Sequence, residues 1–343
     1  MKTAVVLFNL GGPDSPEAVK PFLFNLFNDP AILRMPGPFR WLLARLIAAR
    51  RAPVARAIYA ELGGKSPIIE ETENQAQALD TALRDDTDSY KTFIAMRYWH
   101  PQSAETAAAV RDWGAERVIL LPLYPQYSTT TTGSSLTAWR QAARHVGLDV
   151  PMSAVCCYFT HADFVAAHAG MIAETLSDMD RDNTRVLFSA HGLPEKIVKD
   201  GDPYQWQVEQ TVAAVIGAMD QAVDYRICYQ SRVGPMAWIG PSTDAEIEQA
   251  GHEGKNLVVV PVAFVSEHSE TLVELDIEYS RLASAAGVSD YRRTPALGTN
   301  ARFIKALATV VRSAPAQGIR PGGPGICSQE WRCCALKAGG NIG

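Results

Sequence analysis

Four groups of side chains combine residue type and spacing in ways that could do chemistry. The first is His191, in Ser189-Ala190-His191-Gly192-Leu193-Pro194, just past an apolar run. With an unperturbed pKa of about 6.5, an imidazole there can accept a proton at cellular pH. A histidine tied to backbone is the plainer alternative. The second is the stretch 266–278, where Glu267, Glu270, Glu274 and Glu278 are spaced 3, 4 and 4 with His268 among them. That spacing predicts a helix lined on one face by carboxylates. Like charges so placed repel by roughly a few tenths of a kcal/mol per pair, and a helix N-terminus offsets the first of them. A solvated acidic face is the plain reading; a route for a borderline divalent cation such as Fe²⁺ is the sharper one. The third is Arg97-Tyr98-Trp99-His100-Pro101 together with Tyr124-Pro125-Gln126-Tyr127-Ser128 and the Ser/Thr/Gly run to Ser135. An arginine followed by aromatic rings suits a carboxylate and a flat cavity, and the Ser/Thr/Gly run suits a helix cap. The fourth is Cys327, Cys333 and Cys334, crowded near the C-terminus, with Cys156, Cys157 and Cys228 elsewhere. In a long, unsecreted chain such thiols suit a metal or a cluster better than a disulfide framework.

These groups need strands and helices to position them. Short apolar runs bounded by Gly or Pro predict strands at 3–9, 92–97, 117–123, 153–157, 185–190, 225–229, 256–264 and 290–293. Helical patterns fall between them at 17–28, 39–59, 71–83, 104–113, 136–145, 162–176, 204–219, 243–250, 269–285 and 301–312. Such alternation predicts an α/β protein with parallel sheets buried on both faces. Val5–Gly11 echoes Arg185–His191, and Val118–Pro122 echoes Leu257–Pro261, which suggests two similar halves. The active site is then expected at the carboxyl ends of the strands. The block 21–51 is rich in Phe and Trp but broken by Asp29, Pro30, Pro36 and Pro38. It reads as a two-helix insertion, or more sharply as an apolar lip over a large flat ligand. From residue 314 the Gly- and Pro-rich tail reads as irregular linker, and a metal cross-link would explain its cysteines.

Composition narrows the function. At 343 residues and 47% apolar content the chain can bury a full core. A formal charge of −5 is a poor match for wrapping nucleic acid. No run is long and apolar enough for a membrane span, and Gly11-Gly12-Pro13-Asp14 breaks the first apolar run too early for a signal peptide. An unprocessed, soluble, cytosolic protein is expected. Neither G-x-G-x-x-G after a strand nor G-x-x-x-x-G-K-[ST] is present, so nothing supports nucleotide dependence.

Taken in order, these segments resemble the ferrochelatases, which insert ferrous iron into protoporphyrin IX. Asn9-Leu10-Gly11-Gly12-Pro13, Gly63-Gly64-Lys65-Ser66-Pro67 and the Arg97, Tyr124 and His191 motifs carry the likeness. So do Gly201-Asp202-Pro203-Tyr204, Gln230-Ser231-Arg232-Val233-Gly234-Pro235, Trp238-Ile239-Gly240-Pro241 and the acidic helix. The resemblance implies a chelatase fold: two similar Rossmann-like lobes with parallel sheets flanked by helices, around a cleft. It implies an N-terminal lobe at 1–158 with a lip insertion at 21–51, a C-terminal lobe at 159–298, a helix at 299–313 packing back on the first lobe, and a cysteine-bearing tail at 314–343. It implies His191 beside the porphyrin centre, Glu270 facing it, His268 nearby, and Glu274 and Glu278 continuing the acidic line. His191 and Glu270 would also meet the substrate Fe²⁺. Leu10, Arg51, Tyr59, Arg97, Tyr124, Trp238 and Phe264 would shape the porphyrin pocket, and the lip would make a peripheral contact with the inner face of the membrane.

Some members of the family, bacterial ones included, carry a [2Fe–2S] cluster, and Cys327, Cys333 and Cys334 match their cysteine tail with a C-x₅-C-C spacing. The internal ligand of animal members is missing, because Thr129 stands in the matching segment. Cys156 or Cys157 is the expected fourth thiolate, since such a cluster needs four ligands. A Zn²⁺ site or a tail without cofactor are the alternatives. For the whole chain, the alternatives are a chelatase acting on coproporphyrin III or another tetrapyrrole, and a non-catalytic haem or metal carrier.

Overall fold

The computed structural model describes residues 1–84, 89–231, 236–325, 327–328 and 330–337; the motif residues 232–235 lie outside that set. The chain divides into two compact units. The first comprises Met1–Cys157, Leu307–Gly322 and a stretch from Ala335, and the second comprises Tyr158–Ala306 and Gly323–Cys334.

In the first unit the chain runs β1 (Lys2–Asn9), α1 (Val19–Phe27), α2 (Gly37–Ala60), α3 (Ile68–Ala82), β2 (Ser89–Met96), α4 (Ser103–Asp112), β3 (Arg117–Pro122), α5 (Thr132–Val146) and β4 (Met152–Val155). The second unit continues with α6 (Ala162–Thr175), β5 (Thr184–His191), α7 (Glu195–Lys199), α8 (Tyr204–Gly217), β6 (Asp224–Gln230), α9 (Thr243–His252) and β7 (Asn256–Pro261). A π-helix (Glu270–Glu278) then runs directly into α10 (Tyr279–Ala286), followed by β8 (Tyr291–Arg293). Finally α11 (Ala301–Arg312) leads to β9 (Gly318–Arg320), which joins the first sheet.

Both sheets are wholly parallel, ordered β2-β1-β3-β4-β9 and β6-β5-β7-β8. Numbered within its own unit, each sheet begins with the order 2-1-3-4. The internal echo seen in sequence falls on the central pair of each sheet, β1 with β3 and β5 with β7. Central strands are covered by helices on both faces, so they read as unbroken apolar runs: β1 is buried from Thr3 to Asn9, and β5 is buried up to His191. Trp139 of α5 packs on Phe8 of β1, with ring centroids 5.9 Å apart, among Val118, Leu120 and Leu136. In the second unit Leu275 and Tyr279 pack on Leu187, Ile247 and Val259, which fixes the π-helix over its sheet.

Two expectations need correction. The segment 318–320, read as irregular linker, forms β9 and pairs in parallel with β4. Without it, the exposed edge of β4 would present unpaired amides and carbonyls, so even a short strand there satisfies backbone groups that composition does not reveal. The acidic helix is α-helical only from Tyr279; before that it is widened to i→i+5 bonding, a rare form that recurs frequently at functional sites.

Candidate active site

In a doubly wound sheet the strand order reverses between two central strands, and their carboxyl ends open a crevice there. In the second unit this point lies between β5 and β7. His191 is the last residue of β5. The chain then turns at Gly192, whose N–H donates to the Gln230 carbonyl at 2.9 Å. A Cβ at position 192 would lie 2.9 Å from that oxygen and 3.3 Å from the Trp238 ring. Glycine is therefore what lets the indole close on the backbone beside His191. A bridge between Pro194 and Trp238, with Ile239 N–H donating to Leu193 O, holds the indole in place.

From the end of β7 the chain crosses to the π-helix, whose first residue is Glu270. Glu270 Oε2 lies 3.0 Å from His191 Nδ1 and 3.7 Å from His268 Nε2. His268 Nδ1 lies 3.0 Å from the Ser266 carbonyl, which can only accept, so that nitrogen carries the hydrogen. The Phe264 ring sits 4.8 Å from the His268 ring. Sequence reasoning named His191, His268, Glu270, Phe264 and Trp238 separately, and the second unit brings them together.

Glu274 is held by a ring of donors that sequence reasoning did not find. Gln230 Nε2 donates to its Oε2, and Ser231 N–H to its Oε1, each at 3.0 Å. The hydroxyls of Ser231 and Tyr279 complete the set. Ser231 adopts φ 62°, a left-handed backbone that costs a non-glycine residue strain. That geometry aims both its N–H and its Oγ at one carboxylate.

The electrostatics follow from these contacts. Burial pushes the Glu270 carboxyl up, but the facing His191 and His268 rings outweigh it and hold Glu270 well below the usual carboxylate range. Burial pushes the His191 imidazole down, and the Glu270 carboxylate outweighs that, so its pKa stands above the ordinary 6.5. Burial raises Glu274, and the charge on Glu270 raises it further against the bonds from Ser231 and Gln230. Two carboxylates one helical turn apart thus differ in kind: Glu270 is a fixed anion, and Glu274 takes a proton more readily.

The acidic line is shorter than its spacing predicts. Glu267 precedes the helix and pairs with Arg293 at 2.9 Å and the Ala296 N–H at 2.8 Å. Glu278 faces solvent. The Ser/Thr/Gly run does not cap α5 with a side chain either; Ser134 instead donates its hydroxyl to Asp29.

In the first unit, Leu10 and Tyr59 belong to the apolar cluster of the insertion, with Phe22, Leu23 and Tyr98. The Arg51 guanidinium stands 5.8 Å over the Phe27 ring. Tyr124 packs instead on the separate core around Phe8 and Trp139. Arg97 pairs with Asp29 at 2.8 Å. In the sequence Asp29 stands out only as an interruption of the apolar block. A lone carboxylate among so many aromatic residues was the signal that it needs a buried partner.

Cys156 and Cys157 are buried in the first unit with sulfurs 3.5 Å apart. Cys327, Cys333 and Cys334 belong to the second. Cys327 Sγ accepts from Gln207 Nε2 at 3.0 Å, and Cys333 Sγ faces the Asp200 carbonyl at 3.4 Å. Among the described residues, no group of three or more His, Cys, Asp or Glu side chains is gathered to hold a metal ion.

A family model described as Ferrochelatase matches residues 2–314. The chain belongs to the ferrochelatase family. Ferrochelatase from Caulobacter vibrioides (strain NA1000 / CB15N) is 52% identical over 339 residues, covering 97% of this chain and 95% of that protein. Ferrochelatase from Pelagibacter ubique (strain HTCC1062) is 52% identical over 314 residues, 91% of each chain. That from Phenylobacterium zucineum (strain HLK1) is 50% identical over 344 residues, 99% of each. The fold is shared with SirB from Bacillus subtilis with Fe³⁺, at TM-score 0.54 and 13% identity over 91% of this chain and 95% of that one. As a ferrochelatase the chain is an enzyme of the lyase class, and it acts in haem biosynthesis by inserting Fe²⁺ into a porphyrin. The carrier reading is thereby set aside.

The His191–Glu270 pair is testable apart from turnover. By NMR, the His191 imidazole should titrate above pH 6.5 in the native protein. In Glu270→Gln it should titrate below its native value, because burial then acts with far less opposing charge. An unmoved titration would remove Glu270 from its control. The sign for stability is fixed too: the pair stabilises the fold while His191 is protonated, and that contribution is lost as pH rises through its raised pKa.

Proposed function

We propose that His191 and Glu270 are the pair that meets the porphyrin centre and the incoming Fe²⁺, and that the porphyrin is protoporphyrin IX. Insertion releases two pyrrole protons, so bases must stand at the ring. His191 in its neutral form takes one proton at Nε2 while its Nδ1–H stays hydrogen-bonded to Glu270, and Glu274, the more basic carboxylate, takes the second; both protons then leave to solvent. His268 supports Glu270 from the other side. The 3.0 Å contact of His191 Nδ1 with Glu270 Oε2 is the observation that carries this reading. Leu10, Arg51, Tyr59, Arg97 and Tyr124 of the first unit, and Trp238 and Phe264 of the second, are the proposed porphyrin contacts. A flat macrocycle hides its nitrogen lone pairs, so these contacts must bend it, with strain supplied by binding energy remote from the centre. The apolar insertion favours a porphyrin of few carboxylates. His191→Ala should lower anaerobic iron insertion about 10²–10⁴-fold with the circular dichroism unchanged, and protoporphyrin should outrun coproporphyrin III in the native enzyme. A near-normal rate in His191→Ala would remove this residue from the chemistry.

The enzyme is further proposed to work in the cytoplasm, resting on the inner face of the membrane. Phe39, Leu42, Leu46 and Val54 of α2 are each more than 60% exposed, on a helix that also presents Arg45 and Arg50. Aliphatic and aromatic side chains interleaved with arginine suit an anionic lipid surface. Among the described residues, no helix is long and apolar enough to cross a membrane. The protein should co-sediment with vesicles containing phosphatidylglycerol, and the double variant Leu42→Asp/Leu46→Asp should remain in the supernatant.

A [2Fe–2S] cluster on Cys327, Cys333, Cys334 and one of Cys156 or Cys157 is proposed on the C-x₅-C-C spacing, and no step of the reaction is routed through it. Anaerobically isolated protein should contain acid-labile sulfide equal to its non-haem iron. Protein free of sulfide would leave the tail as a strap held by Gln207 and by the packing of Trp331 on Trp206.

A further inference from the structure

Asp29 lies just beyond α1, and its side chain is only 2% exposed. Oδ1 accepts from the Ala31 N–H at 2.8 Å. Oδ2 accepts from the Tyr98 hydroxyl at 2.8 Å, from the Ser134 hydroxyl at 2.5 Å and from Arg97 Nη2 at 2.8 Å. Arg97 Nε donates to Ser134 Oγ at 2.6 Å, which closes the network. Ser134 lies in the first turn of α5, where the helix dipole favours an anion. Burial, and then the charge of Asp29, push the Tyr98 phenol well above its ordinary range, so it remains a donor. The insertion is tied to Tyr98 a second time, by Asn25 Nδ2 donating to its carbonyl at 3.0 Å.

A free guanidinium would be a strong carboxylate clamp, because its planar fork matches two oxygens. Here the Nε edge and Nη2 are already committed within the chain, and the positive charge is cancelled at contact distance. Arg97 retains 22% of its side chain exposed, so it still faces outward as part of a neutral pair.

We propose that Asp29 is a specificity-determining residue: by holding Arg97 in a buried ion pair it withdraws that guanidinium from porphyrin carboxylates, and so sets the enzyme against porphyrins with more than two of them. This rests on the reading that Arg97 meets the porphyrin. A dicarboxylate porphyrin can present an apolar edge to the neutral pair at no electrostatic cost. A tetracarboxylate must place a further anion there, against a guanidinium whose charge Asp29 already cancels.

The experiment compares kcat/KM for coproporphyrin III, with four carboxylates, and protoporphyrin IX, with two. It uses native enzyme, Asp29→Asn, Arg97→Gln and the double variant. Asp29→Asn frees the guanidinium and should raise the copro-to-proto ratio about tenfold, the size of one charge-assisted bond. Arg97→Gln leaves the buried carboxylate unopposed and should lower the ratio. The double variant removes both charges and should bring the ratio back to within about threefold of native, a non-additivity diagnostic of coupling. A ratio unmoved by Asp29→Asn but moved by Arg97→Gln, with no recovery in the double variant, would overturn the proposal and leave Arg97 as a porphyrin contact. A ratio unmoved in every variant would overturn the proposal and that reading together. Should Asp29→Asn fail to fold, recovery in the double variant relative to Arg97→Gln decides alone, since losing both partners of a buried pair is milder than losing one.

Discussion

A half-buried imidazole facing a half-buried carboxylate is the constraint on which the second unit is built. Neither group is stable there alone. Burial would drive Glu270 toward its neutral acid and His191 toward its neutral base, and each charge exists because the other stands 3.0 Å away. Holding that separation requires β5 to end at His191 and the helix after β7 to begin at Glu270. It also requires Leu275 and Tyr279 to seat that helix on the sheet. The widened helix is part of the same device. It leaves Glu270 and Glu274 half-buried while Val273 and Leu275 stay in the core.

The two units manage charge differently. The second keeps a titratable line of imidazole and carboxylates with unequal proton affinities, the arrangement proton transfer needs. The first buries a carboxylate against an arginine, a phenol and a hydroxyl, and leaves no net charge at that place. Titratable charge and mutually cancelled charge are thus separated along the chain, with His191 ending β5 and Arg97 following β2.

All eight expected strands form; the central ones were legible because strands buried on both faces are nearly all apolar, whereas β8, Tyr291–Arg293, is only half-buried. His191, His268, Glu270 and Glu274 were legible because strand ends and helical spacing place side chains predictably. Glu267 and Glu278 were misplaced because spacing alone fixes neither where a helix starts nor its period. The donors to Glu274 were invisible, since a strained serine and a distant tyrosine carry no local signature. Strand β9 was missed because three residues among glycines and prolines hold too little apolar pattern; its existence follows from the needs of β4, not from its own composition.

That short strand has a consequence for how the cysteine tail can be handled. Because residues 318–320 complete the first sheet, and Cys156 N–H donates to Arg320 O, the tail's root is also a seam of the N-terminal unit. Shortening the polypeptide upstream of Gly318 would unzip that seam and offer β4 as a template for sticking to other molecules. Loss of solubility in such a fragment would then say nothing about its missing thiols. Cuts placed after Gly322 separate the two effects.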